Sequence, residues 1–188
     1  MSRENDLLSF TNEGVLPPRD YPMTLEQLEE SILVNGPANK DEASQWDARW
    51  RLQLVKNLRI MVGQLWEIGI DEIFIDGSFV EDKDHPNDID GYFICDELQL
   101  RTRALTRELN RLDPAKCWTW DHATRRAYRG YPKKQLPMWH TYRVELYPHF
   151  DGLVAGVDSR GNALEFPAWF RQRRTNGQAK GIVKIIKS

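Results

Sequence analysis

The chain lacks the features that mark secreted, membrane-spanning or disulfide-stabilised proteins. Its two cysteines, Cys95 and Cys117, are too few for a disulfide framework and do not have the spacing of a zinc site. Its first residues contain no basic segment followed by a long apolar stretch, and no run of about eighteen apolar residues occurs anywhere. The sequence therefore predicts a soluble, cytoplasmic protein with no membrane partner.

Internal repeats and low-complexity segments are also absent, and no shift in composition marks a domain boundary. The 188 residues, of which 40% are hydrophobic and seven are Trp, suffice for one sizeable core. We therefore expect a single domain over residues 1–188. Within it, residues 1–23 combine several prolines with polar residues, which favours an extended arm laid over the body.

Charge is present in quantity but is divided unevenly along the chain. The net charge is −2, yet residues 1–100 hold eight Lys or Arg and 21 Asp or Glu, whereas residues 101–188 hold 18 and seven. Two explanations remain open: the two halves pack on each other, or the basic half faces an anionic partner such as a nucleoside triphosphate or RNA.

Apolar spacing and turn residues predict the regular elements. In chain order they are a helix capped by Thr24 and Gln27 that ends near Gly36, a long helix over 41–68, a strand, turn and strand over 74–94, a helix over 98–112, an irregular segment over 113–139, a strand over 140–150, a turn at 158–162, a helical piece over 166–173 and a last strand over 182–186.

The stretch from Phe74 to Ile94 carries the strongest chemical signal. An apolar run enters Gly77 and Ser78, an acidic loop follows, and a second apolar run opens with Asp88 and Asp90. Strand side chains alternate between faces, so these two carboxylates project from the same side. Like charges held together raise the free energy unless a divalent cation or a retained proton compensates them.

A phosphate and metal site is consistent with these residues. A Gly-Ser turn lets the backbone approach a phosphate closely, and its amide groups and hydroxyl can bind phosphate oxygens. Asp88 and Asp90 offer the oxygen ligands that hold Mg²⁺ against phosphates, and Glu145, on the strand over 140–150, is a candidate third carboxylate. Two metal ions at such a site can support displacement at phosphorus without a protein nucleophile.

The pattern of Gly77-Ser78, nine further residues, Asp88-Ile89-Asp90 and a later acid at Glu145 resembles the nucleotidyltransferase superfamily of polymerase-beta type, especially its minimal members. The longer context is similar to a family of small bacterial and phage nucleotidyltransferase-like proteins. The segments that carry this similarity are G-V-L-P-P at 14–18, D-G-S-F at 76–79, P-N-D-I-D at 86–90 and K-G-I-V-K-I near the C-terminus.

This resemblance implies an α+β fold, with a mixed β-sheet backed by helices. It implies that Asp88, Asp90 and Glu145 form the catalytic and metal-binding set for Mg²⁺ or Mn²⁺, and that Gly77 and Ser78 bind the triphosphate of an NTP, with ATP as the expected donor. The reaction would transfer a nucleoside monophosphate, AMP first among them, to a hydroxyl of a protein, RNA or small molecule. A toxin–antitoxin or phage-defence context, with a toxin as the protein partner, also follows from the resemblance.

The sequence departs from the family pattern in two respects. The third acid is more often Asp than Glu, and no helical base-recognition domain follows the site. One alternative is therefore a catalytically inactive protein of this fold that masks a partner such as a toxin. Another is a nuclease or phosphohydrolase that uses the same metal pair. His85 and His149 do not have the spacing of a ligand pair, and we expect both on the surface or in loops.

Overall fold

The computed structural model describes residues 8–38, 45–158 and 160–188. Its strands are β1 (Asp20–Met23), β2 (Ile73–Asp76), β3 (Ile89–Ile94), β4 (Val144–His149), β5 (Val154–Val157), β6 (Ala163–Glu165) and β7 (Ile182–Ile185). Five of them form one sheet in the order β1-β7-β2-β3-β4, and β5 and β6 form a separate hairpin.

The five-stranded sheet is mixed. β1 pairs with β7 and β3 pairs with β4 in parallel, whereas β2 is antiparallel to both of its neighbours. The helices are α1 (Leu25–Glu30), α2 (Ile32–Asn35), α3 (Ala48–Glu67), α4 (Glu97–Arg101), α5 (Ala104–Leu112), α6 (Pro137–Tyr142) and α7 (Phe166–Phe170). This combination confirms the expected α+β class with a mixed sheet backed by helices.

The longest helix, α3, forms the main wall of the core. Leu54, Leu58, Met61 and Leu65 are completely buried, because their spacing of three or four residues places them on one face. The helix ends before Gly69, whose φ of 83° suits the predicted stop. None of the helices in the described part of the chain has both the length and the apolarity needed to span a membrane.

The predicted helix boundaries were partly right. Thr24 and Gln27 form the expected capping box, but Ser31 then interrupts the helix and caps α2. The predicted start of the long helix near residue 41 lies outside the described residues, and its described part begins at Ala48 after the cap Asp47.

Three other predictions were wrong in detail. The extended arm over 1–23, of which residues 1–7 lie outside the described residues, contributes a regular strand, because β1 pairs with β7 at the sheet edge. The helix expected over 98–112 is two helices, since Arg103 has a φ of 59° between α4 and α5. The strand expected from residue 140 begins only at Val144, because Pro137 opens α6 and this helix takes the first aromatic residues of that run.

Candidate functional site

Four acidic side chains lie at one end of β2, β3 and β4. Asp76 is the register partner of Asp90, and Asp90 is the register partner of Glu145, so these three carboxylates form a row across adjacent strands. Asp88 precedes β3 by one residue and shares its side with Asp90, as the alternation predicts. The structure thus brings together the three predicted acids and adds Asp76. We call Asp76, Asp88, Asp90 and Glu145 the acid row.

The predicted Gly-Ser turn lies directly beside this row. Gly77 begins a short 3-10 turn over Gly77–Val80 that follows β2, and its φ is 75°. A Cβ atom at this position would lie 2.7 Å from Oδ2 of Asp90. Only glycine therefore combines this left-handed backbone with such a close approach, which brings Ser78 to the same cleft as the acids.

Burial and mutual repulsion shift the protonation of the acid row. Burial raises the pKa of Asp76 to about 7, although Lys180 opposes the shift. Burial and the neighbouring Glu145 raise the pKa of Asp88, while a hydrogen bond from Trp139 opposes this. The pKa of Asp90 is raised well above its ordinary value by burial and by the charge of Asp88. The fold thus leaves these carboxylates incompletely compensated.

Glu145 is buried and has protein partners for both of its oxygens. The amide of Leu136 donates to Oε1 at 3.0 Å, and the hydroxyl of Tyr147 donates to Oε2. Burial and the Glu145 charge raise the pKa of Tyr147, so its hydroxyl stays protonated. Arg125 lies 3.7 Å from Oε1 and is the cation of this pair. Arg143, two residues before Glu145 in the sequence, lies over the ring of Trp139.

Asp76 pairs with a lysine that comes from the β7 side of β2. Lys180, just before β7, lies 3.1 Å from Oδ2 of Asp76 and 2.7 Å from Oε1 of Glu81. The second oxygen of Asp76, Oδ1, is buried and has no hydrogen-bond partner among the described residues. One buried carboxylate oxygen of the acid row therefore lacks compensation from the described residues.

The acid row forms the floor of a cleft of about 770 Å³, which is within the range of small-molecule sites. Its walls are basic and aromatic, and they come mainly from the second half of the chain. The basic and aromatic residues that contribute are His122, Arg125, Tyr131, Lys133, Lys134, Tyr147, Trp169, Phe170, Arg173, Arg174 and Lys180. The acidic and basic halves of the sequence thus meet across this cleft.

Sequence reasoning missed several of the residues that shape the site. Asp76 had a usable signal, because it ends a strand immediately before the Gly-Ser turn. Lys180 opens the K-G-I-V-K-I segment, but nothing in the sequence linked it to Asp76, and Trp139 had no signal, since each lies far along the chain from the acid that it contacts. Trp139 donates from Nε1 to Oδ2 of Asp88 at 2.6 Å, which also ties α6 to the acid row.

Within the described part of the chain, one group of metal-binding side chains has its ligand atoms close together, and it lies away from the acid row. His149, Asp151 and Glu165 each offer a ligand atom, and these atoms lie within 4.8 Å of one another; the acids of the acid row form no such group. His149 was expected on the surface or in a loop, but it is buried at the end of β4, so that prediction was wrong. His85 is exposed as expected and lies 3.0 Å from Asp47.

Comparison with known protein families gives one match. The family described as "Family of unknown function (DUF6932)" matches residues 8–186. No curated protein and no solved structure matches the chain. Because the family covers nearly the whole chain, the protein belongs to the DUF6932 family.

Proposed function

We propose that this member of the DUF6932 family is a minimal nucleotidyltransferase that depends on Mg²⁺ or Mn²⁺. It transfers a nucleoside monophosphate, with ATP as the first donor to test, to a hydroxyl of a protein, RNA or small molecule. The observation that carries the proposal is the acid row beside the Gly77–Ser78 turn within one basic-walled cleft. Carboxylates at the floor of the cleft can bind hard cations, and the basic side chains of its walls can attract a triphosphate.

The acid row fits a hard divalent cation by its chemistry. All of its donors are carboxylate oxygens, the pKa values of Asp88 and Asp90 are raised, and Oδ1 of Asp76 lacks a partner among the described residues. Asp88 and Asp90 would hold the cation, and Glu145 would join them after releasing Tyr147. Such a cation, when bound, offsets the charge of phosphate oxygens and favours displacement at phosphorus.

The protein's own groups would bind and orient the substrates. The amide groups after Gly77 and the hydroxyl of Ser78 would bind phosphate oxygens, while Arg173 and Arg174 attract the triphosphate. The acceptor hydroxyl, acidified beside the bound cation, would give its proton to water. The hydroxyl oxygen then bonds to the α-phosphorus as the bond to the β-phosphate oxygen breaks and pyrophosphate leaves.

The test is transfer of label from α-labelled NTPs, with Mg²⁺ and cell extract, to an acceptor. We expect a labelled product with the wild type and none with the double variant Asp88→Asn, Asp90→Asn. The control double variant Asp71→Asn, Glu72→Gln removes two exposed carboxylates outside the cleft and should label normally. Equal labelling by all three proteins would contradict the proposal, and release of phosphate or cut nucleic acid would indicate a hydrolase instead.

A second candidate is a catalytically inactive protein of this fold that masks a partner such as a toxin. It is favoured by the compensation already present, because Lys180 pairs with Asp76 and both oxygens of Glu145 are occupied. Under this alternative the double variant Asp88→Asn, Asp90→Asn would keep its partner binding and its biological effect. Loss of the effect with partner binding intact would rule it out.

A further inference from the structure

One histidine and two carboxylates lie together where the main sheet meets the β5–β6 hairpin. His149 is the last residue of β4, Asp151 lies in the turn that follows, and Glu165 is the last residue of β6. One ligand atom from each lies within 4.8 Å of the others. The cluster therefore joins three chain segments at a place separate from the acid row.

The imidazole of His149 is buried without a hydrogen bond that would account for it. The residue is 1% exposed, and Nδ1 has no partner among the described residues. Its Nε2 faces Oε2 of Glu165 at 3.4 Å, which is longer than a good hydrogen bond. Buried polar groups in proteins nearly always have partners. An imidazole that lies this close to two carboxylates, with Nδ1 unpartnered and Nε2 only loosely paired, therefore indicates a ligand at the cluster.

The surrounding structure holds these side chains in place. The ring of His149 packs edge-on against Tyr92 and Phe166, with centroids 5.9 and 6.1 Å away. Oε1 of Glu165 accepts a hydrogen bond from the amide of Gly152 at 3.1 Å, which leaves Oε2 directed at the histidine. Among the described residues, neither carboxylate of the cluster forms an ion pair with Lys or Arg. The two negative charges therefore have no cation from this part of the protein.

We propose that His149, Asp151 and Glu165 bind a divalent transition-metal ion, with Zn²⁺ as the first choice. One imidazole and two carboxylates are a usual ligand set for such ions, and a water molecule would complete the coordination. The bound ion would link β4 to β6. Glu165 directly precedes α7, whose Trp169 and Phe170 line the cleft, so the metal would also fasten one wall of that cleft.

The test measures Zn²⁺ itself, without nucleotide, so that its failure is distinct from failure of the proposed transferase activity. The protein used carries Asp88→Asn and Asp90→Asn, so that the acid row contributes fewer carboxylates to Zn²⁺ binding. It is freed of metal and dialysed against Zn²⁺, and the number of Zn²⁺ ions bound per chain is measured. We expect one bound Zn²⁺ per chain, and a Zn²⁺-dependent rise in the thermal unfolding temperature.

Adding Asp151→Asn should weaken binding at least about tenfold and should remove the thermal shift. Asp151 is exposed, so this variant should fold, and circular dichroism checks that it does. The matched control His85→Asn removes an exposed histidine beside Asp47 and should bind like its parent. Absence of bound Zn²⁺, or equal binding with and without Asp151→Asn, would overturn the proposal.

Discussion

Two buried charged regions of this protein differ in how far the fold compensates their charge. The guanidinium of Arg51, which is fully buried, donates to the carbonyl oxygens of Leu33, Phe79, Glu81 and Lys83. Burial lowers the pKa of Arg51 to about 9, which leaves it charged at neutral pH. The acid row has the opposite sign. Three of its members each have a donor, but among the described residues none donates to the carboxylate of Asp90.

The comparison separates a charge that the fold largely compensates from charges that it leaves partly uncompensated. Around Arg51 the fold supplies carbonyl acceptors to both terminal nitrogens, although Nε has no partner among the described residues, and the arginine fastens the chain that follows the Gly-Ser turn. In the acid row, burial and like-charge repulsion raise the pKa of three carboxylates. A bound cation would offset the free-energy cost of holding these like charges together. Substitutions at the two regions should therefore change stability in opposite directions.

The largest effect is expected from Arg51→Met. This change keeps much of the side-chain volume but leaves buried carbonyl oxygens without donors, so we expect the free energy of unfolding to fall by about 3–5 kcal/mol. Urea unfolding at pH 7 measures it. The control Arg59→Met removes an exposed ion pair with Glu26 and Glu29 and should cost less than about 1 kcal/mol. Similar losses for both variants would contradict the structural role of Arg51.

The second largest effect is an expected increase in the free energy of unfolding. Asp90→Asn removes one of the crowded negative charges without a change in size, so in metal-free buffer at pH 8 we expect the free energy of unfolding to rise by about 2 kcal/mol. Urea unfolding at pH 4, 6 and 8 measures the difference from the wild type.

The direction of the pH dependence follows from the raised pKa of Asp90. A carboxyl whose pKa is raised by folding keeps its proton longer in the folded state, so the wild type loses stability as the pH rises from about 4, where the unfolded group titrates, through the folded pKa. The advantage of Asp90→Asn should therefore be small at pH 4 and should grow as the pH rises to 8. A variant less stable than the wild type at pH 8 would mean that the fold already compensates Asp90.

The smallest effect is expected from Tyr147→Phe. The hydroxyl that is lost donates to Glu145 and accepts from Arg125, so we expect the free energy of unfolding to fall by about 1 kcal/mol. Glu145 then keeps only the Leu136 amide and Arg125 as partners and turns more easily toward Asp90. Mn²⁺ affinity should therefore rise by about threefold, which corresponds to the loss of one weak competing hydrogen bond. Mn²⁺ titration followed by electron paramagnetic resonance measures this. A fall in affinity would indicate that Tyr147 positions Glu145 as a ligand.

The candidate site was predictable where local pattern determines geometry. Asp88 and Asp90 share a strand face because side chains alternate, and the Gly77 turn follows from glycine's access to positive φ. The partners of these residues were not predictable. Trp139 lies in a stretch that was expected to be irregular or to lead into a strand, and the aromatic alternation after it concealed the short helix that Pro137 opens.

By itself, the sequence determined the long amphipathic helix α3, the Gly-Ser turn and the paired aspartates, because each depends on residues close together in the chain. Only the tertiary structure decided that β7 inserts between β1 and β2, which carries Lys180 to Asp76, and that β4 lies parallel to β3, which sets Glu145 beside Asp90. The physical reason is that strand order and register follow from burying all the apolar faces together, and no local pattern records that global choice.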